Sequence, residues 1–253
     1  PIMSGTGNRE TGGTVSPSAA AAGPAQAAAW VAQQVSPDVT VTCDPVMCGQ
    51  LHRDGFPAAG LKPLPRGARV LPGSGVVVAT PAVRGQLGSR LATAYAPQVI
   101  ASFGSGAARV DVRTIAPAGA SAFRTRLATR QAALAVVGRQ LLSNKNIRAS
   151  ASAGAALRGG QVDARLLTIL ALLSAQMPVR LTGFAGAPGA SPGVPLRGAE
   201  IGVATTADRS AVVALLNAQQ SPYRPTVAIM AGGSRPVITL RFDAPAAVNM
   251  SQP

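Results

Sequence analysis

The segment VTCDPVMCGQLHRDGF, residues 41–56, carries both cysteines of the chain and its only histidine. Val39 to Cys43 alternate β-branched residues and read as a short strand. Asp44-Pro45 then supplies a helix start, Asp as the N-cap and Pro at the first helical position. The helix runs to about Asp54, and Gly55 closes it where a left-handed residue is usually required. This path fixes the cysteines in space. Cys43 stands just before the cap and Cys48 at the fourth helical position, the two places that meet in a hydrophobic staple. A disulfide there is a covalent staple. A redox site favours two intervening residues, and here there are four. A zinc site would draw on Cys43, Cys48, His52 and Asp54, with no second ligand pair elsewhere. The disulfide leads these alternatives in an oxidising compartment. No metal centre is assigned, and His52 is then an ordinary helix residue.

With the cysteines committed, little remains for polar chemistry. A Ser-His-Asp arrangement would have to use His52, and no G-x-S-x-G elbow is present. The nine acids are scattered; Asp44 is a cap and Asp38 lies in a Ser-Pro-Asp turn. FGSGAAR, residues 103–109, lacks the Gly-Lys-Ser/Thr ending of a phosphate loop and precedes a strand, so it reads as a tight turn. No catalytic residue and no cofactor are assigned, and the balance falls on the non-enzymatic side.

Charge points to partners. The net charge is +14, from 23 Lys plus Arg against nine acids, and only Lys62 and Lys145 are lysines. Residues 84–165 hold eleven arginines and Lys145 against Asp111 and Asp163 alone. An anionic neighbour follows from that imbalance. Nucleic acid is not expected, because aromatics are 3% and no recognition motif accompanies the arginines. An anionic membrane surface or wall polymer fits, as does another envelope protein.

Residues 1–23 are Gly, Ser, Thr, Pro and Ala without a run of large apolar residues, and read as a flexible tether rather than a signal peptide or span. LLTILALLSAQMPV, from Leu166, is broken by Pro178 and too short for the roughly 20 residues that cross a bilayer. The remainder is expected to be soluble.

Buried Val-rich strands alternating with helices give an α/β fold of two small domains, each a mixed sheet packed with helices. The first, residues 24–116, runs from a helix near Ala20–Val35 through the stapled helix to strand GVVVAT, helix Ala82–Tyr95, and strands QVIASF and RVDVRTI, in a mostly parallel sheet. APAGA, residues 116–120, is the boundary. The second, residues 117–245, opens with helix Gly119–Leu142. It continues through strand NIRASAS, helix VDARLLTILALLSAQ, strand VRLTGFA, a Gly-Pro loop and helix DRSAVVALLNAQ. TVAIM and VITLRF then form a hairpin joined by AGGSR. Residues 246–253 are a flexible tail. The stripe Phe123, Leu127, Leu134 and Leu141 faces the core, with Arg126 and Arg130 at its edge. Arg124, Arg126, Arg130 and Arg139 are the candidate anionic-surface residues.

The stretches AAWVAQQVSPDVTVTCDP, LHRDGF, GVVVATPAVR and VIASFGSGAARVDVR resemble the extracytoplasmic C-terminal soluble domain of actinobacterial polyprenyl-phosphate-dependent membrane glycosyltransferases of the mannosyltransferase type. The resemblance covers residues 27–115. It rests on a Trp-bearing helix, a strand ending in an acidic residue, a helix ending before Gly, a Val-Ala-Thr-Pro strand end and a closing Phe-Gly-x-Gly turn. It implies an extracytoplasmic domain at a membrane surface, tethered through a segment outside this chain. That family's catalysis resides in its membrane-embedded part, so no catalytic residue carries over. The order of the second domain, residues 145–243, resembles an OmpA-like peptidoglycan-binding domain in topology. There Gly183 keeps its place, Phe184 and Gly186 replace the family's His and Asp, and Arg197 is the residue that carries over to ligand binding. The expected function is a binding or scaffolding role in an actinobacterial-type envelope. The alternatives are an accessory or catalytic part of polyprenyl-linked glycan transfer and a peptidoglycan-binding domain with a degenerate site. An acidic pair lining a sugar-sized cleft would favour the transfer reading; an Arg-lined groove without converging carboxylates would favour binding.

Overall fold

In the computed structural model the described residues are 17–68, 71, 73, 75–203, 205–230 and 237–242. They form two five-stranded sheets with helices, an α/β fold of two sheet-containing units. The expected tail 246–253, the AGGSR turn and residues 1–16 of the tether lie outside the described residues.

In the first unit α1 spans Pro17–Gln34, so residues 17–23 of the expected tether are helical; the Ala run there has the highest helix propensity of any residue type. β1 (Val41–Cys43), α2 (Pro45–Arg53), β2 (Leu61–Pro63) and β3 (Val76–Ala79) follow. α3 (Pro81–Leu87), β4 (Gln98–Phe103) and β5 (Val110–Thr114) complete the unit. The strand order is β2-β1-β3-β5-β4. β1 pairs parallel with β2 and β3, whereas β5 pairs antiparallel with β3 and β4. The sheet is therefore mixed rather than mostly parallel, because β4 and β5 return as a hairpin.

Both faces of this sheet are covered. Val76 and Val78 pack with Trp30, Val31, Met47 and Leu51 of α1 and α2, whereas Val77 and Ala79 pack with Val83, Leu87 and Leu91 beneath α3. All four residues of β3 are buried, as a strand covered on both faces requires. The expected helix Ala82–Tyr95 is broken: α3 stops at Leu87, Gly88 adopts φ 57°, and Leu91–Tyr95 is a separate π-helical turn.

The second unit begins with α4 (Ala120–Ser143), followed by β6 (Ile147–Ala149), α5 (Ala151–Arg158) and α6 (Ala164–Gln176). β7 (Val179–Ala185), β8 (Gly198–Gly202), α7 (Thr206–Asn217), β9 (Thr226–Met230) and β10 (Val237–Arg241) complete it. The order is β6-β7-β8-β10-β9. Two elements depart from the sequence expectation. NIRASAS is a three-residue strand that turns at Ser150 into α5, since the Ser150 hydroxyl caps the Ala153 amide. β8 lies in the stretch expected to be a Gly-Pro loop. Leu181, Ala199, Ile201, Ile238 and Leu240 meet α6 through Leu166, Ile169, Leu170 and Leu173 and α7 through Val212 and Leu216.

One β-α-β-β path occurs twice. β3–α3–β4–β5 and β8–α7–β9–β10 each place the last strand between the first and second strands of the path. Each first strand leads into Val-Ala-Thr, at 78–80 and 203–205, with an arginine four residues beyond the threonine, Arg84 and Arg209. Each threonine caps its helix: Thr80 accepts from the Val83 amide and Thr205 from the Asp208 amide. The last strands read Val-Asp-Val-Arg and Ile-Thr-Leu-Arg. The chain thus contains the same β-α-β-β path twice.

Candidate functional site

The two units meet along α4 and the loop 186–197 that joins β7 to β8. In α4, Ala120, Ala135, Gly138 and Leu141 are buried, and Phe123, Leu127 and Leu134 are half-buried. These residues form one seam at helical spacing. Gly138 is a packing choice: a Cβ there would overlap the Leu157 carbonyl of α5. Gly160 (φ 62°) brings the end of that connection onto Gln131, where a Cβ would overlap the Gln131 carbonyl. Gln131 Nε2 also donates to the Gly159 carbonyl at 3.0 Å.

The loop is fixed at both ends. Ala190 forms an antiparallel bridge with Ala101, and the Ser191 amide donates to the Ile100 carbonyl at 2.9 Å. Those contacts cover the outer edge of β4, which would otherwise present unpaired backbone groups. Trp30 Nε1 donates to the Pro188 carbonyl at 2.7 Å, and Gly189, at φ 73°, lies against Trp30 and Phe103. At the other end Val162 bridges Leu196, with the Leu196 amide donating to the Gln161 carbonyl at 2.7 Å.

Between α4 and this loop lies a cleft of about 730 Å³, within the ordinary size range of small-molecule sites. Phe123, Leu127 and Leu134 form an apolar floor, and Val194, Pro195 and Leu196 lie across from it. Gln98, Gln131 and Gln161 bring amides to the walls. Arg124 and Arg130 both line the cleft. Six residues apart, they project about 120° from one another around the helix, one on each side of the apolar seam. Among the described residues, no Asp or Glu lines it.

The described acids are engaged elsewhere. Asp44 accepts from the Val46 and Met47 amides through Oδ1 and from the Thr80 hydroxyl through Oδ2. That contact joins the start of α2 to the start of α3 at the ends of adjacent parallel strands, the place where open α/β sheets often bind ligands. Both oxygens of Asp44 are used there. Asp111 is buried with Arg109 at 2.6 Å and Ser102 at 2.8 Å. Asp163 caps α6 and pairs with Arg165 at 2.9 Å, and the Arg165 guanidinium lies over the Phe242 ring. Asp38 contacts Ser36, Asp54 contacts Gln50, Glu200 contacts Thr182 and Asp208 sits in the α7 capping box.

Of the sequence-selected residues, Arg124 and Arg130 both line the cleft. Arg126 and Arg139 are exposed elsewhere on α4. Arg197 is 4% exposed and donates to Gln34 Oε1 at 3.0 Å, so its position is a buried tie between the units. Gly183 lies within β7, paired with Glu200. Cys43 and Cys48 are bonded, with Cα atoms 5.4 Å apart, in the core of the first unit. Both sulfurs are therefore withdrawn from metal or thiol chemistry, and His52 is exposed. The three glutamines and the 186–196 wall had no signature in the sequence; a Gly-Pro-rich loop between two strands was the only trace. Among the described residues, no helix is long and apolar enough to cross a membrane. No protein-family model, curated protein or solved structure matches the chain.

Proposed function

We propose that the chain is a non-enzymatic, extracytoplasmic envelope protein that binds an anionic component of the membrane surface or wall along α4. The observation that carries this reading is the cleft with Arg124 and Arg130 on opposite sides of its floor and, among the described residues, no carboxylate in its lining. A sugar-transfer site would place acids where the reacting oxygen sits. The arrangement instead supplies fixed positive charge beside apolar surface, which suits retention of an anion. The Cys43–Cys48 disulfide supports an oxidising compartment, because such bonds persist outside the cytosol. The resemblance of residues 27–115 to an extracytoplasmic glycosyltransferase domain supports the same location.

The test is retention on anionic vesicles and on a poly(glycerol phosphate) polymer, against neutral vesicles and an equally basic control protein. Binding is expected at low salt and should weaken steeply toward 0.1 M, where charges are screened within about 10 Å. Replacing Arg124, Arg126, Arg130 and Arg139 with Glu should abolish it while circular dichroism stays unchanged. Retention no greater than that of the control protein would overturn the reading.

A further inference from the structure

We infer that β9 is a self-association edge: it pairs antiparallel with β9 of a second copy of the chain, joining two second-unit sheets into one continuous sheet. This surface is apart from the cleft and stands independently of the anion-binding reading. The two sheets have four edges, and three of them are guarded. β2 is three residues long with Lys62 and Pro63, β6 is three residues long with Arg148 at its centre, and β4 is covered by the Ala190–Ala101 bridge. Short length, charge, proline and a covering loop are the devices that keep an edge from pairing with another chain. β9 has none of them. It is five residues, Thr-Val-Ala-Ile-Met, without charge or proline, and among the described residues it pairs with β10 alone. β9 holds the place in its β-α-β-β path that β4 holds in the other, so this chain already closes one such edge with an extended segment.

The ladder fixes which groups face outward. The Phe242 amide donates to the Arg197 carbonyl, and the Glu200 carbonyl accepts from the Thr182 hydroxyl of β7, so Ile238 and Leu240 turn their backbone groups to β8. Alternation along β10 then turns Thr239 and Arg241 to β9, onto Ala228 and Thr226. Val227 and Ile229 therefore direct their amides and carbonyls away from the sheet. A two-fold antiparallel seam uses all of these groups, Val227 against Ile229 of the second copy and the reverse, with Ala228 facing its own counterpart at the centre. The uncharged strand also lets two copies of net charge +14 meet without like charges opposed across the seam.

The experiment is sedimentation equilibrium of the full chain from micromolar to millimolar concentration. The mass should rise toward twice that of the protomer, and further at about 0.5 M than at about 0.05 M salt, because screening relieves the repulsion between two copies carrying +14 each. Anion binding has the opposite salt dependence, so the two readings fail separately. Val227→Pro removes an outward amide while sparing the β10 bonds, and should weaken association roughly tenfold or more with circular dichroism unchanged. Ala228 is exposed, so Ala228→Arg and Ala228→Glu leave the fold intact. Each alone should stay monomeric, and an equimolar mixture should associate again, since opposite charges then face one another at the centre of the seam. A protomer mass at every concentration and salt would overturn the inference and leave the anion reading untouched. A dimer unaffected by Val227→Pro and by Ala228→Arg would overturn β9 as its seam.

Discussion

Trp30 Nε1 donates to the Pro188 carbonyl at 2.7 Å, across 158 residues of chain, and fixes the loop of one unit on the helix of the other. Trp30→Phe keeps most of the packing but leaves that carbonyl without its donor. It should cost about 1 kcal/mol in urea unfolding, and Trp30→Ala about 3–5 kcal/mol. Hydrogen exchange should quicken at the Ser191 amide in Trp30→Phe, because the loop docks on β4 through that group.

Arg197 and Gln34 form the second tie between the units. Arg197→Ala should destabilise the chain by about 1–3 kcal/mol, since Gln34 Oε1 loses its donor in a buried place. A double-mutant cycle with Gln34→Ala should give a coupling of about 0.5–3 kcal/mol. Additive effects of the two substitutions would show that the contact contributes nothing.

Reducing Cys43–Cys48 should lower Tm without unfolding the chain. A loop this short is worth about 2 kcal/mol on the chain-entropy relation. Thermal unfolding with and without reductant, compared with a Cys43→Ala, Cys48→Ala double variant, checks the magnitude.

Glycines of α2 and α4 should respond with opposite sign. Gly138→Ala drives a methyl into the Leu157 carbonyl and should cost about 1–3 kcal/mol by overpacking. Gly49→Ala in α2 meets nothing within 4 Å and should stabilise by about 0.5–1 kcal/mol. Equilibrium unfolding of both variants decides it.

Much of the first unit was legible from its residues. Asp44-Pro45 is a local signal, completed within four residues, so the end of β1, the cap of α2 and the disulfide followed from short-range chemistry; the Thr80 cap of α3 was not read. β8 was not legible. Gly198-Ala-Glu-Ile-Gly has little β-propensity of its own and becomes a strand because β7 and β10 pair with it on both sides. The doubled Val-Ala-Thr path is written in the sequence, yet α7 has 12 residues where α3 has seven, and that difference hides the repeat from any fixed period.

The site was legible in part for a similar reason. Arg130 stood out through its place at the edge of the α4 stripe, a property of one helix; Arg124 was one of four candidate arginines there, and Arg126, also placed at the stripe's edge, is exposed away from the cleft. The wall opposite them depends on Trp30, Ile100 and Ala101 holding a loop more than 80 residues away in sequence. Arg197 drew attention as a ligand residue, but the contact that defines it lies on α1 of the other unit.

The central claim is that the cleft seats an anion between Arg124 and Arg130. Arginine side-chain Nε–Hε NMR signals, followed while poly(glycerol phosphate) is added, test it most directly. The account predicts saturable shifts at Arg124 and Arg130, accompanied by the Gln98 and Gln161 side-chain amides, while the exposed arginines 53, 66 and 148 stay in place. Shifts spread evenly over the exposed arginines, with no saturation at Arg124 and Arg130, would contradict it.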